Sequence, residues 1–151
     1  MLSNCHSHYS FHYGILSPEE LLEIAVRAGS RHVALTDVNS SAICLDFLRR
    51  ARELDVHPVV GIDFKVGAQT KYVALAKNNK GFEEINKHLS QQLMYGEEIL
   101  DRAPRFDHAY VIYPFDSLAR VSNACGSQGH VLQTRFSKQT PSPLRGTPPF
   151  Q

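Results

Sequence analysis

The chain is organised around Asn4-Cys5-His6-Ser7-His8-Tyr9-Ser10-Phe11-His12-Tyr13-Gly14, a histidine-rich stretch that follows a short apolar start and precedes a helix. In an extended strand, side chains two residues apart point to the same side. Asn4, His6 and His8 are therefore predicted to project together at the mouth of a strand, as in the metal site of an α/β barrel. The alternative is that they are exposed polar side chains on a loop, because short histidine patterns are common by chance.

Length, charge and cysteine content predict a single domain in a reducing compartment. The chain has 151 residues and a formal net charge of +1, so no strong field attracts nucleic acid or an anionic membrane. Its three cysteines are far apart and form no CxxC pair, which argues against a disulfide framework and a thiolate zinc finger. No segment has transmembrane length and no signal peptide is evident. We therefore expect a cytoplasmic protein with no membrane partner.

The first half of the chain alternates strands and helices. Ser17-Pro18-Glu19-Glu20 forms a capping box with proline at the first helical position, and it predicts a helix that Gly29 ends. Apolar strands are predicted at residues 1–5, 32–36 and 57–64, with a second helix at about 41–54. This order predicts βαβ units and a parallel sheet. Asn39 or Ser40 is predicted to cap the second helix.

The second half predicts a hairpin, or a strand interrupted by a turn, and then a helix and a further strand before the composition changes. Segments 64–66 and 72–76 flank the turn residues Gly67-Ala68-Gln69-Thr70, a helix follows at about 82–94, and a strand at 109–113. A weak helix is predicted at about 116–125. Gln, Ser, Thr, Pro and Gly then dominate, which is typical of disorder. The predicted organisation is a folded domain at 1–125 and a disordered or aberrant tail at 126–151.

Two acidic residues are candidate metal ligands because each lies where an apolar strand ends. Asp37 follows the strand at 32–36, and Asp63 lies at the end of the strand at 57–64. Parallel α/β folds keep their chemistry at these strand ends, and carboxylates are common metal ligands there. The candidate metal site therefore comprises His6, Asp37 and Asp63, with His8 as a further candidate.

Four stretches of the chain resemble the PHP (polymerase and histidinol phosphatase) domain that begins bacterial DNA polymerase III alpha subunits. The first three are similar to PHP domains generally, and the fourth resembles the polymerase branch and not the free-standing phosphatases. The stretches are Tyr9–Gly14 with the helix that follows it, Val33–Asp37, Pro58–Phe64 and Leu75–Ser90. The resemblance spans about residues 1–120 and then fades.

The resemblance implies a distorted seven-stranded (β/α) barrel, of which this chain would hold a part. In active members, histidines and carboxylates hold up to three metals, which activate water and clamp a phosphoryl group. The implied activity is phosphoester hydrolysis by zinc or manganese, and in some polymerases a 3′–5′ exonuclease. The implied partners are the rest of the polymerase, other replisome subunits and, through the parent protein, DNA. The family's palm carboxylates lie far beyond residue 151, so this chain cannot itself polymerise DNA.

The sequence departs from the family pattern at several implied ligand positions. Aligning Tyr9-Ser10 with the family motif places Asn4 and His6 on its two histidines, while a gapped register would use His6 and His8. Tyr13 stands where the family has an aspartate, Val38 where it has a histidine, and Asp63 where it has a glutamate. Valine cannot bind metal, and asparagine and tyrosine are poor zinc ligands. We expect a degenerate site with no bound metal and a structural role.

The length of the chain and the composition of its last residues predict a truncated product and poor solubility. The fading resemblance and the Pro-, Ser- and Thr-rich ending predict a truncated or frame-shifted product. A barrel that lacks its later strands would leave open sheet edges and exposed apolar faces. We therefore expect poor solubility.

Overall fold

The computed structural model describes residues 1–115, which form one five-stranded sheet with three helices. The elements in chain order are β1 (Leu2–Cys5), α1 (Pro18–Arg27), β2 (His32–Val38), α2 (Cys44–Glu53), β3 (His57–Val66), β4 (Gln69–Ala76), α3 (Asn79–Tyr95) and β5 (Ala109–Ile112). Over this part of the chain, no helix has the length and hydrophobicity needed to cross a membrane. The predicted weak helix at 116–125 and the tail at 126–151 lie outside the described residues.

The sheet has the strand order β1-β2-β3-β4-β5 and changes from parallel to antiparallel at β3. β1 pairs with β2 and β2 with β3 in parallel, which confirms the two predicted βαβ units. β3 and β4 form the predicted hairpin around Gly67, whose φ of +57° suits a residue without a side chain. β4 and β5 are also antiparallel. The α/β class is confirmed, while the prediction of a parallel-rich sheet holds only for β1–β3.

Helix α1 begins and ends as the sequence predicts. The Ser17 hydroxyl accepts a hydrogen bond from the Glu20 backbone at 3.1 Å, and the Glu20 carboxylate accepts one from the Ser17 backbone at 2.7 Å. At the other end, Gly29 N–H donates to Val26 and Ser30 N–H donates to Ala25, with Gly29 at a φ of +67°. This is a Schellman ending, in which a left-handed glycine lets the last carbonyls find donors.

The predicted cap of α2 is wrong. Ile43 precedes the helix and makes no side-chain cap, so α2 begins at Cys44 and not at Ser41. Asn39 instead holds β3, because its side chain accepts from Lys65 N–H at 2.9 Å and donates to the Lys65 carbonyl at 2.8 Å. A sequence pattern cannot distinguish these roles, since both use the same short amide side chain next to a chain reversal.

The helices cover one face of the sheet, and β3 links two hydrophobic clusters on that face. The first cluster packs α1 and α2 on β2 and β3, with Leu22, Phe47 and Val60 among its members. The second packs α3 on β3 and β4, with Ile62 and Phe64 fully buried. Because Val60, Ile62 and Phe64 face the helices, Asp63 and Lys65 point to the opposite face. That alternation places the candidate site.

Candidate functional site

The carboxyl ends of β1, β2 and β3 meet at one edge of the sheet, because these strands are parallel. His6 directly follows β1, Asp37 lies near the end of β2, and Asp63 lies in β3. In the β2–β3 register, Val38 pairs with Asp63 and Asp37 pairs with Ile62. Paired residues of neighbouring strands share a face of the sheet. Asp63 therefore shares its face with Val38, while Asp37 points to the side that the helices cover.

His6 and Asp63 are brought into direct contact on the face away from the helices. His6 Nε2 lies 3.1 Å from Asp63 Oδ2, and the Asp63 side chain is only 1% exposed. The Thr70 hydroxyl, from β4, lies 3.4 Å from the same carboxylate oxygen. Asp63 Oδ1 is buried and has no hydrogen-bond partner among the described residues. The structure therefore brings these two candidate residues into contact, while their role as metal ligands stays a prediction.

Asp37 serves the histidine-rich loop and does not reach the His6–Asp63 pair. Its carboxylate accepts hydrogen bonds from Ser7 N–H, the Ser7 hydroxyl and the Ser10 hydroxyl, each at 2.7 Å. Ser10 in turn accepts from Val38 N–H at 2.8 Å. Ser7, Ser10 and Asp37 are all buried. A carboxylate that already receives three short bonds is an anchor for the loop, which it fastens to the end of β2.

Lys65 is the residue of this site that sequence reasoning missed. Its Nζ lies 3.4 Å from Asp63 Oδ2, and its side chain is 11% exposed. The same ammonium lies 4.0 Å above the centre of the Tyr13 ring. The Tyr13 hydroxyl donates to the Gly67 carbonyl at 3.0 Å and so joins the loop to the β3–β4 turn. The spacing of two between Asp63 and Lys65 on a strand was the available signal.

Asn4 and His8 complete the account of the histidine-rich stretch. The Asn4 side chain accepts from the Thr36 hydroxyl at 2.9 Å and lies beside β2, on the same side as His6. His8 is exposed, stacks on Tyr9, and lines an open cleft of about 470 Å³ beside α1 and α2. The spacing prediction is therefore supported for Asn4 and His6, whereas the chain turns before His8.

The side chains described in residues 1–115 do not by themselves make up the site that the metal of active PHP domains would need. Within residues 1–115, no group of three His, Cys, Asp or Glu side chains is placed to share one ion. A zinc site needs three or four such ligands. His6 and Asp63 supply two such ligands. The Lys65 ammonium, which also lies beside the Asp63 carboxylate, repels a cation.

Two nearby thiols do not make up the missing ligands. Burial, together with the nearby Asp37 carboxylate, raises the pKa of Cys44 to about 12. Burial also raises the pKa of Cys5, which lies in the core cluster under α1 and α2. A thiol binds metal as its thiolate, and both shifts favour the protonated form at neutral pH.

Comparison with known proteins places these observations in a family. The family model for the PHP domain matches residues 3–146. This match extends beyond residue 120, where the resemblance is expected to fade. It includes most of the segment that is predicted to be a tail. The predicted tail itself stays a prediction. A candidate metal-dependent phosphoesterase of known structure from Bifidobacterium adolescentis aligns with 62% of this chain and 31% of its own, at a TM-score of 0.48 and 21% identity.

The relatives in sequence are bacterial DNA polymerases. The error-prone DNA polymerase of Mycobacterium tuberculosis is 32% identical over 139 residues, which cover 85% of this chain and 12% of that protein. The DNA polymerase III subunit alpha of Mycoplasma genitalium is 32% identical over 108 residues, 68% of this chain and 12% of its own length. This chain thus spans about an eighth of the relatives it matches. It belongs to the PHP domain family and is homologous to the PHP regions of DNA polymerase III alpha subunits.

Proposed function

We propose that this chain is the PHP domain of a DNA polymerase III-type alpha subunit and that it acts there as a structural module, not as a phosphoesterase. The observation that carries the proposal is the contact between Lys65 and Asp63, which puts a protein cation beside the carboxylate that a metal would need as a ligand. The loop that carries His6 is held by hydrogen bonds from Ser7 and Ser10 to the Asp37 carboxylate. The fold at this edge of the sheet is therefore supported by hydrogen bonds and an ion pair.

The proposal extends to the remainder of the barrel and to the partners. The five-stranded sheet of residues 1–115 would be part of the distorted (β/α) barrel that the resemblance to the family implies. The module's partners would be the other domains of a polymerase alpha subunit and, through them, DNA and the replisome. Its location would be the cytoplasm, where replication takes place in bacteria.

A second candidate function is metal-dependent phosphoester hydrolysis, including 3′–5′ exonuclease activity. The observation in its favour is the unpartnered Oδ1 of Asp63, since a buried carboxylate oxygen without a donor is a position that a zinc or manganese ion could use. Two observations weigh against it. Within residues 1–115 only His6 and Asp63 are placed as ligands, and the Lys65 ammonium lies beside the same carboxylate. The structural role is therefore the better supported of the two.

The two candidates predict different results in a hydrolysis assay on the full chain. We expect no release of p-nitrophenol from p-nitrophenyl phosphate, and no shortening of a 3′-labelled single-stranded oligonucleotide, when manganese or zinc is added. The reason is that an activated water needs a metal with an open coordination position. The negative control is a His6→Ala variant, which removes the imidazole that contacts Asp63.

Equal, background rates for the wild type and His6→Ala would support the structural role. A metal-dependent rate in the wild type that disappears in His6→Ala would overturn it and establish the hydrolase. Circular dichroism of both proteins would show that the variant had not lost activity by unfolding.

A further inference from the structure

The buried carboxylate of Asp63 needs a positive partner. Asp63 has no exposed surface, and an ionised carboxylate in such a place is strongly disfavoured unless it is paired and hydrogen-bonded. A hydrolytic PHP site would supply the positive charge as metal ions. Within residues 1–115, the side chains that touch Asp63 Oδ2 are those of His6, Thr70 and Lys65. Of these, lysine is the one that carries a full positive charge across the physiological pH range.

The position of Lys65 is fixed from three directions. Its backbone N–H and carbonyl are both held by the Asn39 side chain, at 2.9 Å and 2.8 Å. Asn39 itself directly follows β2 and has a φ of +47°, so the turn after β2 aims its amide at β3. The ammonium then lies between the Asp63 carboxylate and the face of the Tyr13 ring. Such an arrangement is a built site, since backbone, carboxylate and aromatic ring each restrain the same residue.

Two residues that differ from the family pattern, Tyr13 and Val38, replace implied metal ligands with uncharged side chains. Tyr13 stands where the resemblance implies an acidic metal ligand, and it offers an uncharged aromatic face to an ammonium. Val38, on the same face of the sheet as Asp63, stands where the resemblance implies a histidine. Among the described residues, the Asp63 carboxylate and the Lys65 ammonium lie beside each other next to the His6 imidazole, so the ammonium balances the charge of the carboxylate.

We propose that the Lys65 ammonium is a built-in counter-ion that takes the place of the metal beside Asp63, keeps the domain folded without metal and excludes a divalent cation. This inference rests on the proposed structural role and gives it a residue-level cause. A divalent ion that bound Asp63 would lie close to the ammonium, and like charges repel strongly where water is scarce. Lysine therefore both satisfies Asp63 and blocks its use as a ligand.

The test is a double-mutant cycle in thermal unfolding, on the full chain purified in EDTA. Lys65→Met leaves Asp63 without its cation, Asp63→Asn leaves Lys65 without its anion, and the double variant removes both charges. Lys71→Met is the matched control, because Lys71 is similarly covered at 15% exposure but pairs with the half-exposed Asp101. We expect each single variant at the site to lower Tm by about 10 °C, and the control by about 2 °C.

The double variant is expected to unfold at a higher temperature than the sum of the single losses predicts, because a neutral pair has no unpaired charge to bury. It also keeps the test valid if either single variant fails to fold. If the decreases in Tm of the two single variants simply add in the double variant, Lys65 is not the counter-ion of Asp63. A decrease for Lys65→Met no larger than that for Lys71→Met would contradict the role as well.

Excess zinc, added after the EDTA is removed, tests the exclusion separately. We expect it not to raise the Tm of the wild type or of Lys71→Met, and to raise that of Lys65→Met, where the carboxylate is free to take a cation. A zinc-dependent rise of the same size in wild type and Lys65→Met, or no rise in Lys65→Met, would overturn the claim that Lys65 is what excludes the cation. Metal-dependent hydrolysis by the wild type would contradict the structural role but would not change the result of the double-mutant cycle. The two proposals can therefore fail separately.

Discussion

Replacing Asp37 by alanine is expected to lower the free energy of unfolding by about 5 kcal/mol, because three buried donors lose their acceptor at once. The donors are Ser7 N–H and the hydroxyls of Ser7 and Ser10, each 2.7 Å from the carboxylate. Hydrogen bonds to a charged group are stronger than neutral ones, and buried donors left unpaired add their desolvation cost. Since domains have a total stability of about 5–15 kcal/mol, the variant would be close to unfolding at room temperature.

Urea denaturation of three variants measures this effect. Asp37→Asn keeps one acceptor oxygen and should cost about 2 kcal/mol, between the wild type and Asp37→Ala. Asp46→Ala is the control, because its carboxylate is 55% exposed and pairs only with Arg49 on the surface of α2, so about 0.5 kcal/mol is expected. A loss for Asp37→Ala that matched the control, or that appeared only in the presence of metal, would contradict the anchoring role.

Replacing Gly14 by alanine is expected to cost about 3 kcal/mol, because a methyl group there has no space. A Cβ on Gly14 would overlap the carbonyl groups of Ser7 and His6, which belong to the same loop. Gly14 N–H also closes the loop by donating to the Ser10 carbonyl at 3.0 Å. The backbone cannot move away without breaking the bonds that Ser7 and Ser10 make to Asp37.

Gly29→Ala is the matched control for Gly14→Ala. Gly29 has a φ of +67° but open space around its Cα, so alanine there should cost only the strain of a left-handed backbone, about 1 kcal/mol. The Tm of Gly14→Ala should therefore fall clearly below that of Gly29→Ala in a thermal melt. Equal losses would mean that the loop opens without cost and is not packed as described.

Local signals in the sequence predict most of the fold. The capping box at Ser17 and the left-handed Gly29 determine α1 by contacts within a few residues, and the turn at Gly67 determines the hairpin in the same way. α3 begins at Asn79, earlier than predicted, because the Asn78 side chain accepts from Gly81 N–H at 3.0 Å. A stretch that reads as a turn can equally supply a helix cap, since both use asparagine and glycine.

The candidate site is only partly predictable, because its contacts depend on the register of three strands. Strand ends correctly indicate where His6 and Asp63 lie. The same rule groups Asp37 with them, although the alternation of β2 turns Asp37 to the other face. The Lys65 contact depends on the Asn39 clamp between β2 and β3, which joins residues 26 positions apart. The local spacing of two indicates only that Lys65 shares a face of β3 with Asp63, and not that the two side chains meet.

We propose that this PHP domain holds its site together without metal. The metal content of the full chain tests this directly, when it is measured by mass spectrometry after expression in medium supplemented with zinc and manganese and purification without chelator. We predict much less than one metal ion per chain, with no difference between the wild type and His6→Ala. One or more zinc or manganese ions per chain, lost in His6→Ala, would contradict it.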